Sequence, residues 1–338
     1  MPRRRVALAL RSTCSRVAQL TGWGLVAAPA VTAAARLTRR ESTDAILMAE
    51  AFGPLLGVPA VAALGLAAAT RRRGLTMTAG AVTGLHLGWL TAELRQANRP
   101  VDRSSPGSPE SDPASRLRLF SANVLFTNSD VEGIAAEVVA ADPDVVVLQE
   151  VSSSTLANLG RAGTLDRFPY RSLRPRRDPL GSAVLSRFPL DEVDDCIVGG
   201  MPMARATLVV GLHRLRIYNV HTRAPFGPGG RPLWKTQLAA LADVVRVEPG
   251  PLVLVGDFNA SAGHRPFRAL LAAGVRDAHM ARRRWWVTTW PSNRRLTPPF
   301  ARIDHVLVSP HLAVLGAAEG EGRGSDHRPV IADLAVLE

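Results

Sequence analysis

Cysteine is almost missing from this 338-residue chain, and the two present, Cys14 and Cys196, fit neither a metal-ligand spacing nor a disulfide framework. A cystine-stapled fold and a thiolate metal knot are therefore excluded, and the redox compartment is left open. Lysine is scarcer still. Lys235 is the only one, so nearly all of the 41 basic side chains are arginine. That imbalance is the mark of a GC-rich coding bias, which makes the formal charge of +12 and the sequence pI near 11.3 poor grounds for nucleic-acid binding. No internal repeat of solenoid length occurs.

Charge is missing in a third, more informative way. Three stretches, about 17–35, 45–70 and 75–92, are apolar or small and carry no charge except Glu50 near the start of the second. Each is near the roughly 20 residues that cross a bilayer, the third being the shortest. The first is too long for the apolar region of a cleaved signal. The sequence thus predicts three transmembrane helices within 1–94, and hence a multi-pass protein of the cell membrane. Basic residues flanking the spans set the orientation. With the amino terminus inside, one side collects Arg3, Arg4, Arg5, Arg11, Arg16 and Arg71 to Arg73, and the other collects Arg36, Arg39, Arg40, Arg95, Arg99 and Arg103. Eight against six favours a cytoplasmic amino terminus, which places everything after an odd number of spans outside the cytoplasm.

Residues 95–115 are rich in Pro, Ser, Gly and acids without periodicity, a semi-extended linker. To residue 115 there are 14 arginines against 7 acids; beyond it 27 basic residues face 22 acids, dispersed as on a water-soluble domain. Strand patterns appear at 116–124, 144–150, 181–186, 204–210, 215–220, 252–255, 303–308 and 330–334, with helices at 130–141 and 232–247. This mixture predicts one α/β domain over 116–338, two sheets face to face with helices outside.

Its centre is Val253-Leu-Val-Gly-Asp-Phe-Asn259, a buried apolar strand that breaks into Asp257 and Asn259 at its end. Open α/β sheets hold ligands at such ends, although Asp-x-Asn there also serves as a plain turn. Polar residues recur at other strand boundaries: Asn123, Glu150, His221, Asp304, and the pair Asp326-His327. Each alone reads equally as a cap, an edge residue or a turn. Together they read as one site.

The blocks Ser121-Ala-Asn123, Leu148-Gln-Glu150, Asn219-Val-His221, Gly256-Asp-Phe-Asn259, Arg302-Ile-Asp-His305 and Gly324-Ser-Asp-His327 resemble, in order and spacing, the endonuclease/exonuclease/phosphatase superfamily of DNase-I-like enzymes. The resemblance covers 116–338. The three spans ahead of such a domain are similar to the bacterial membrane-anchored branch associated with glycopeptide (teicoplanin and vancomycin) resistance. The resemblance implies a Mg²⁺-dependent phosphoric ester hydrolase, with Mn²⁺ as the alternative ion. It implies Glu150, with Asn123 beside it, as metal ligand, and Asp326 as second ligand or positioning residue. His327 would be the base or phosphate-polarising histidine, Asp304 the acid that orients it, and Asp257 with Asn259 the pair that aligns water and phosphate. His221 would contact phosphate or protonate the leaving group. Hard oxygen ligands and a tuned histidine are what phosphoryl hydrolysis needs.

Two arginine-rich stretches border the expected site: Arg171, Arg174, Arg176 and Arg177, and Arg282-Arg-Arg-Trp-Trp286 with Trp290, Arg294 and Arg295. Arg with Trp suits a lipid headgroup layer, a nucleic-acid backbone or a plain surface. The expected partners are accordingly the lipid bilayer and a lipid-linked phosphate substrate at the outer membrane face, with a tethered nuclease acting on nucleic acid as the alternative.

Overall fold

The computed structural model describes residues 2–38, 43–98 and 115–337. They form two compact units, 1–93 and 94–338. Most of the expected linker, 99–114, lies outside the described residues.

In the first unit α1 (Pro2–Thr38) is followed by α2 (Asp44–Ala51), a 3-10 turn (Gly53–Gly57), α3 (Val58–Thr70) and α4 (Arg73–Ala97). Ala60, Ala63 and Ala67, three and four apart on α3, lie on one face and are fully buried with Val26 of α1 and Ala79 of α4. Side chains this small let helix backbones approach closely. The run 45–70, expected as one span, is broken: Gly53 takes a left-handed φ of 54°, and Pro54 has no N–H to continue the helix. Two stretches, Thr13–Thr38 and Gly53–Thr70, are long and apolar enough to cross a membrane. The stretch 75–92 is helical within α4, but its threonines, glycines and His86 dilute its apolarity and it does not join them.

The second unit is built on two six-stranded sheets. The first holds β1 (Arg116–Asn123), β2 (Val145–Gln149), β3 (Tyr170–Arg174) and β4 (Ser182–Ser186). The second holds β5 (Leu190–Val198), β6 (Met201–Val210), β7 (His213–His221), β8 (Leu252–Asp257), β9 (Arg276–Asp277) and β10 (Asp304–Val308), and β11 (Leu312–Glu319) and β12 (Val330–Val336) return to the first. The orders are β11-β12-β1-β2-β4-β3 and β5-β6-β7-β8-β10-β9. Each sheet has a single parallel pair, β1 with β2 and β7 with β8. Parallel neighbours need a crossover. Here α5 (Val131–Ala141) supplies the first and α7 (Gly230–Val247) the second.

Alternation along the strands builds the layers. Leu117, Leu119, Val145 and Val147 meet Leu208, Ile217, Val253, Val255 and Val306 between the sheets. Phe120, Ala122, Val146 and Leu148, on the opposite face, pack on Ile134 and Val138 of α5 and Leu159 of α6 (Ser153–Arg161). Beside the second sheet α7 packs on α8 (Arg265–Ala272), burying Trp234, Leu238 and Phe267 completely. The two-sheet α/β sandwich expected from the sequence is thus present.

Candidate active site

The two parallel pairs end side by side, and those ends carry the polar residues. Asn123 is the register partner of Gln149, the last residue of β2, and Glu150 follows it. His221 is the partner of Asp257, and Asp257 is also opposite Asp304 at the start of the antiparallel β10. Asp304 therefore opens its strand and His327 precedes β12, rather than following a strand, yet both stand at the same edge of the sandwich. Glu150 and Asn259 have left-handed φ values of 60° and 47°. A β-carbon makes that region costly, by roughly 1–3 kcal/mol, and it survives where surrounding bonds fix it.

Those bonds are present. Asn123 Oδ1 accepts from Leu125 N at 3.0 Å, while its Nδ2 donates to Glu150 Oε1 at 3.0 Å and Asp257 Oδ2 at 3.2 Å. Glu150 Oε2 accepts from Phe126 N at 2.8 Å. Asn259 N donates to Asp257 Oδ1 at 2.7 Å, and its Nδ2 reaches Thr222 O at 2.9 Å and Asp257 Oδ2 at 3.3 Å. Asn123, expected as a ligand beside Glu150, thus ties two carboxylates together through its amide N–H groups.

His327 is buried and its Nδ1 donates to Asp304 at 2.9 and 3.1 Å. Its Nε2 lies 3.8 Å from Asp257 Oδ2 and 3.9 Å from Asp326 Oδ1. Burial works against the imidazolium, but Asp304 and Asp257 more than reverse that and carry its pKa up to about 10. Burial raises the Asp257 carboxyl in turn, with Asp304 adding to the rise and His327 and His221 opposing it. His221 Nε2 stands 3.8 Å from both Glu150 and Asp257. All eight residues singled out in the sequence therefore converge: Asn123, Glu150, His221, Asp257, Asn259, Asp304, Asp326 and His327.

Several supporting residues stand inside the motif blocks, or in the Arg/Trp stretch, without a role that the sequence alone assigns. Gln149 Nε2 donates to Asn219 Oδ1 at 2.8 Å across the sandwich, and Asn219 donates back to Leu148 O at 2.9 Å. At Gly256 (φ 136°) a Cβ would stand 2.1 Å from Val220 O, so this close approach of β7 and Gln149 requires glycine. The loop before His327 is held at three points. Glu137 of α5 accepts from the backbone N of Glu321, Gly322 and Arg323 at 2.8, 2.9 and 3.0 Å. Ser325 Oγ donates to Asn123 O at 2.7 Å, and Trp290 Nε1 donates to Asp326 Oδ2 at 3.1 Å. Long sequence separation hides such contacts, although the Gly-x-Gly-Ser run 322–325 marks the tight loop.

The donor set is carboxylate and amide oxygen, which fits a hard divalent cation such as Mg²⁺ or Mn²⁺. Ligand atoms of Asp257, Asp304 and His327 lie within 4.8 Å of one another and form one geometric candidate. A metal there would compete with a proton that His327 holds tightly, and Nδ1 is already committed to Asp304. Glu150, 15% exposed and beside Asn123, is chemically the better ligand.

Residues 120–327 match the Endonuclease/Exonuclease/phosphatase family. Solved structures similar to the chain include Danio rerio TDP2 complexed with a single-strand DNA product, at 18% identity and TM-score 0.57, covering 66% of this chain and 100% of that one. A truncated Caenorhabditis elegans TDP2 gives 18% and 0.54 over 65% and 98%. The endonuclease/exonuclease/phosphatase of Beutenbergia cavernae gives 22% and 0.50 over 66% and 72%. At such identities the likeness is one of fold. No curated protein matches the chain.

Proposed function

Because the chain belongs to the endonuclease/exonuclease/phosphatase family, a family of phosphoester hydrolases, we propose that its site cleaves a phosphoester or pyrophosphate bond of a membrane lipid phosphate, such as a polyprenyl pyrophosphate. The observation that carries this reading is that one chain joins the His327–Asp304–Asp257 cluster to two helices long and apolar enough to cross a membrane. The residues between α4 and β1, 98–115, even if extended at about 3.1 Å per residue, would reach only about 56 Å. Confinement of that kind concentrates a bilayer-borne substrate at the site.

In this reading Glu150 holds the divalent cation, with Asp326 as a second ligand or a positioning residue. When bound, the cation neutralises charge on the phosphoryl oxygens. His327, kept as imidazolium by Asp304, donates a proton-bearing Nε2 to a phosphoryl oxygen, stabilising the charge that develops there. Asp257, with its raised proton affinity, accepts the proton of the attacking water. Asn259 holds Asp257 in place through two N–H groups, and His221 faces the same space as phosphate contact or leaving-group acid. The chain would span the membrane three times, the helix holding 75–92 included, and expose its catalytic unit outside the cytoplasm. A role in glycopeptide resistance would follow if the substrate carries cell-wall precursors.

A second reading, a membrane-tethered nuclease, is favoured by the exposed Arg282 and Arg283, close in the chain to the exposed Trp286. The test is to place the full chain and a polyprenyl pyrophosphate in the same vesicles or in separate ones. Turnover confined to the shared vesicles is expected. Equal turnover in both would remove the argument from tethering.

A further inference from the structure

Between Ala278 and Ile303 the chain has six arginines and no acid. Arg284 pairs with Glu319 and Arg302 with Asp277, whereas Arg282, Arg283, Arg294 and Arg295 are exposed and join no ion pair among the described residues. The last two lie on a loop whose base is clasped as in a hairpin: Trp290 N donates to Ala301 O at 2.9 Å and Ala301 N to Trp290 O at 3.0 Å. Trp290 and Phe300 stack edge to face across that base, centroids 5.5 Å apart.

The base is pinned to the catalytic edge. Trp290 holds the Asp326 carboxylate, Ser292 N donates to Asp326 O at 2.8 Å, and Ser292 Oγ donates to Ser325 O at 3.0 Å. Beyond the clasp the chain leaves the body of the protein: 293–298 are all exposed, and Leu296 at the tip is 95% exposed. A lone exposed leucine is ordinary. A leucine projected on a clasped loop rooted on Asp326, preceded by Arg294, whose guanidinium lies over the Trp290 ring at 6.0 Å from its centroid, and by Arg295, neither of them in an ion pair among the described residues, is not explained by packing.

We propose that the loop 291–299 is a membrane-docking element, which seats the mouth of the site in an anionic lipid headgroup layer. Leu296 enters the boundary between headgroups and acyl chains, and Arg294 and Arg295 bind lipid phosphates with their stems along the apolar side. Trp286, 53% exposed, is of the type that settles at such interfaces. Docking at this depth brings the headgroup of a lipid to His327 without lifting its tails from the bilayer. A nucleic-acid surface would present an aromatic platform at the tip. Here Trp290, the aromatic of the loop base, is turned onto Asp326 and Phe300 instead.

The proposal rests on the lipid-phosphate reading, and its test does not depend on turnover. The full chain carrying Cys14→Ser, Cys196→Ser and Leu296→Cys is labelled with an environment-sensitive fluorophore and reconstituted into phosphatidylcholine vesicles with or without phosphatidylglycerol. The control label is at Leu212→Cys, as exposed as Leu296 but preceding β7, whose far end is His221, roughly 30 Å away at about 3.3 Å per residue. The label at 296 should shift to the blue and be quenched severalfold more than that at 212 by a lipid-borne nitroxide. The effect should weaken without phosphatidylglycerol, in high salt, and on Arg294→Glu with Arg295→Glu. A 296 label that stays in water like the control overturns the proposal, as does one that responds only to an added single-stranded oligonucleotide. Lipid-phosphate hydrolysis with a water-exposed label rejects the loop alone; a bilayer-seated label without such hydrolysis upholds the loop and rejects the substrate.

Discussion

Asp257 and Asp304 stand directly opposite each other across the antiparallel β8–β10 pair, and the imidazole of His327 closes the space between their carboxylates. Two like charges at register positions repel. A protonated histidine between them removes the repulsion, which is why its pKa rises to about 10. Activity that needs Asp257 ionised and His327 protonated should therefore rise through about pH 6, the value of Asp257, and fall only as pH approaches about 10. For stability the sign is the same at the alkaline end: the contribution of the imidazolium is full below the ordinary histidine value and is lost as pH rises through about 10. A pH–rate profile that instead keeps rising through about pH 10, with no alkaline loss, would mean that His327 works as a neutral base.

His327→Ala should lower kcat by about 10²–10⁴-fold. Asp304→Asn should cost less, since the histidine remains but loses its orienting carboxylate. The losses should not add in the double variant, because the two residues act as one unit. Steady-state kinetics of the three variants checks this, and full additivity would count against the pairing.

Glu150→Gln keeps the shape and the Phe126 N–H contact but removes a charge. Activity should fall through weaker metal binding, so that raising Mg²⁺ restores part of the rate. A Mg²⁺ titration that leaves the defect unchanged would point away from Glu150 as the ligand.

Behind the site, Asp277 is buried and accepts from Arg302 Nη1 at 2.7 Å and His305 Nδ1 at 2.6 Å, while His305 Nε2 donates to Ala260 O at 2.8 Å, one residue beyond Asn259. Burial opposes ionisation of Asp277, but Arg302 and His305 hold its carboxyl well below the usual range. Its stabilisation is present above the ordinary carboxylate pKa of about 3.9 and is lost as pH falls further. Asp277→Asn leaves Arg302 and His305 without their anion and should cost about 3–5 kcal/mol, measured by thermal unfolding. A loss below 1 kcal/mol, on the order of an exposed pair, would show the cluster to be slack.

A reporter fused after Glu338 tests the membrane arrangement. Alkaline phosphatase should be active there, and a cytoplasmic fluorescent reporter dark. The reverse pattern would place the catalytic unit inside.

The strongly apolar strands were legible in the sequence because burial on both faces leaves runs such as Val145-Val-Val-Leu148 and Leu252-Val-Leu-Val255. The edge strand β5 was not, since Asp191, Glu192, Asp194 and Asp195 make it read as a loop. Those acids are matched by Arg214, Arg216, Arg205 and Arg174, contacts that sequence spacing does not reveal. The site residues were visible as polar breaks at strand boundaries. Their roles were less so: Asn123 turned its N–H groups to Glu150 and Asp257, a choice fixed by Leu125 N on the other side of the amide. The expected basic patch before β4 also dissolves in part, as Arg174 and Arg176 are paired to Asp195 and Asp178.

The most direct test of the account is to assay the purified full chain on a polyprenyl pyrophosphate and on plasmid and single-stranded DNA, with Mg²⁺ and with chelator. The account predicts Mg²⁺-dependent release of phosphate from the lipid, abolished by His327→Ala, with little cleavage of DNA. Efficient Mg²⁺-dependent cleavage of DNA, with no turnover of lipid phosphates, would contradict it.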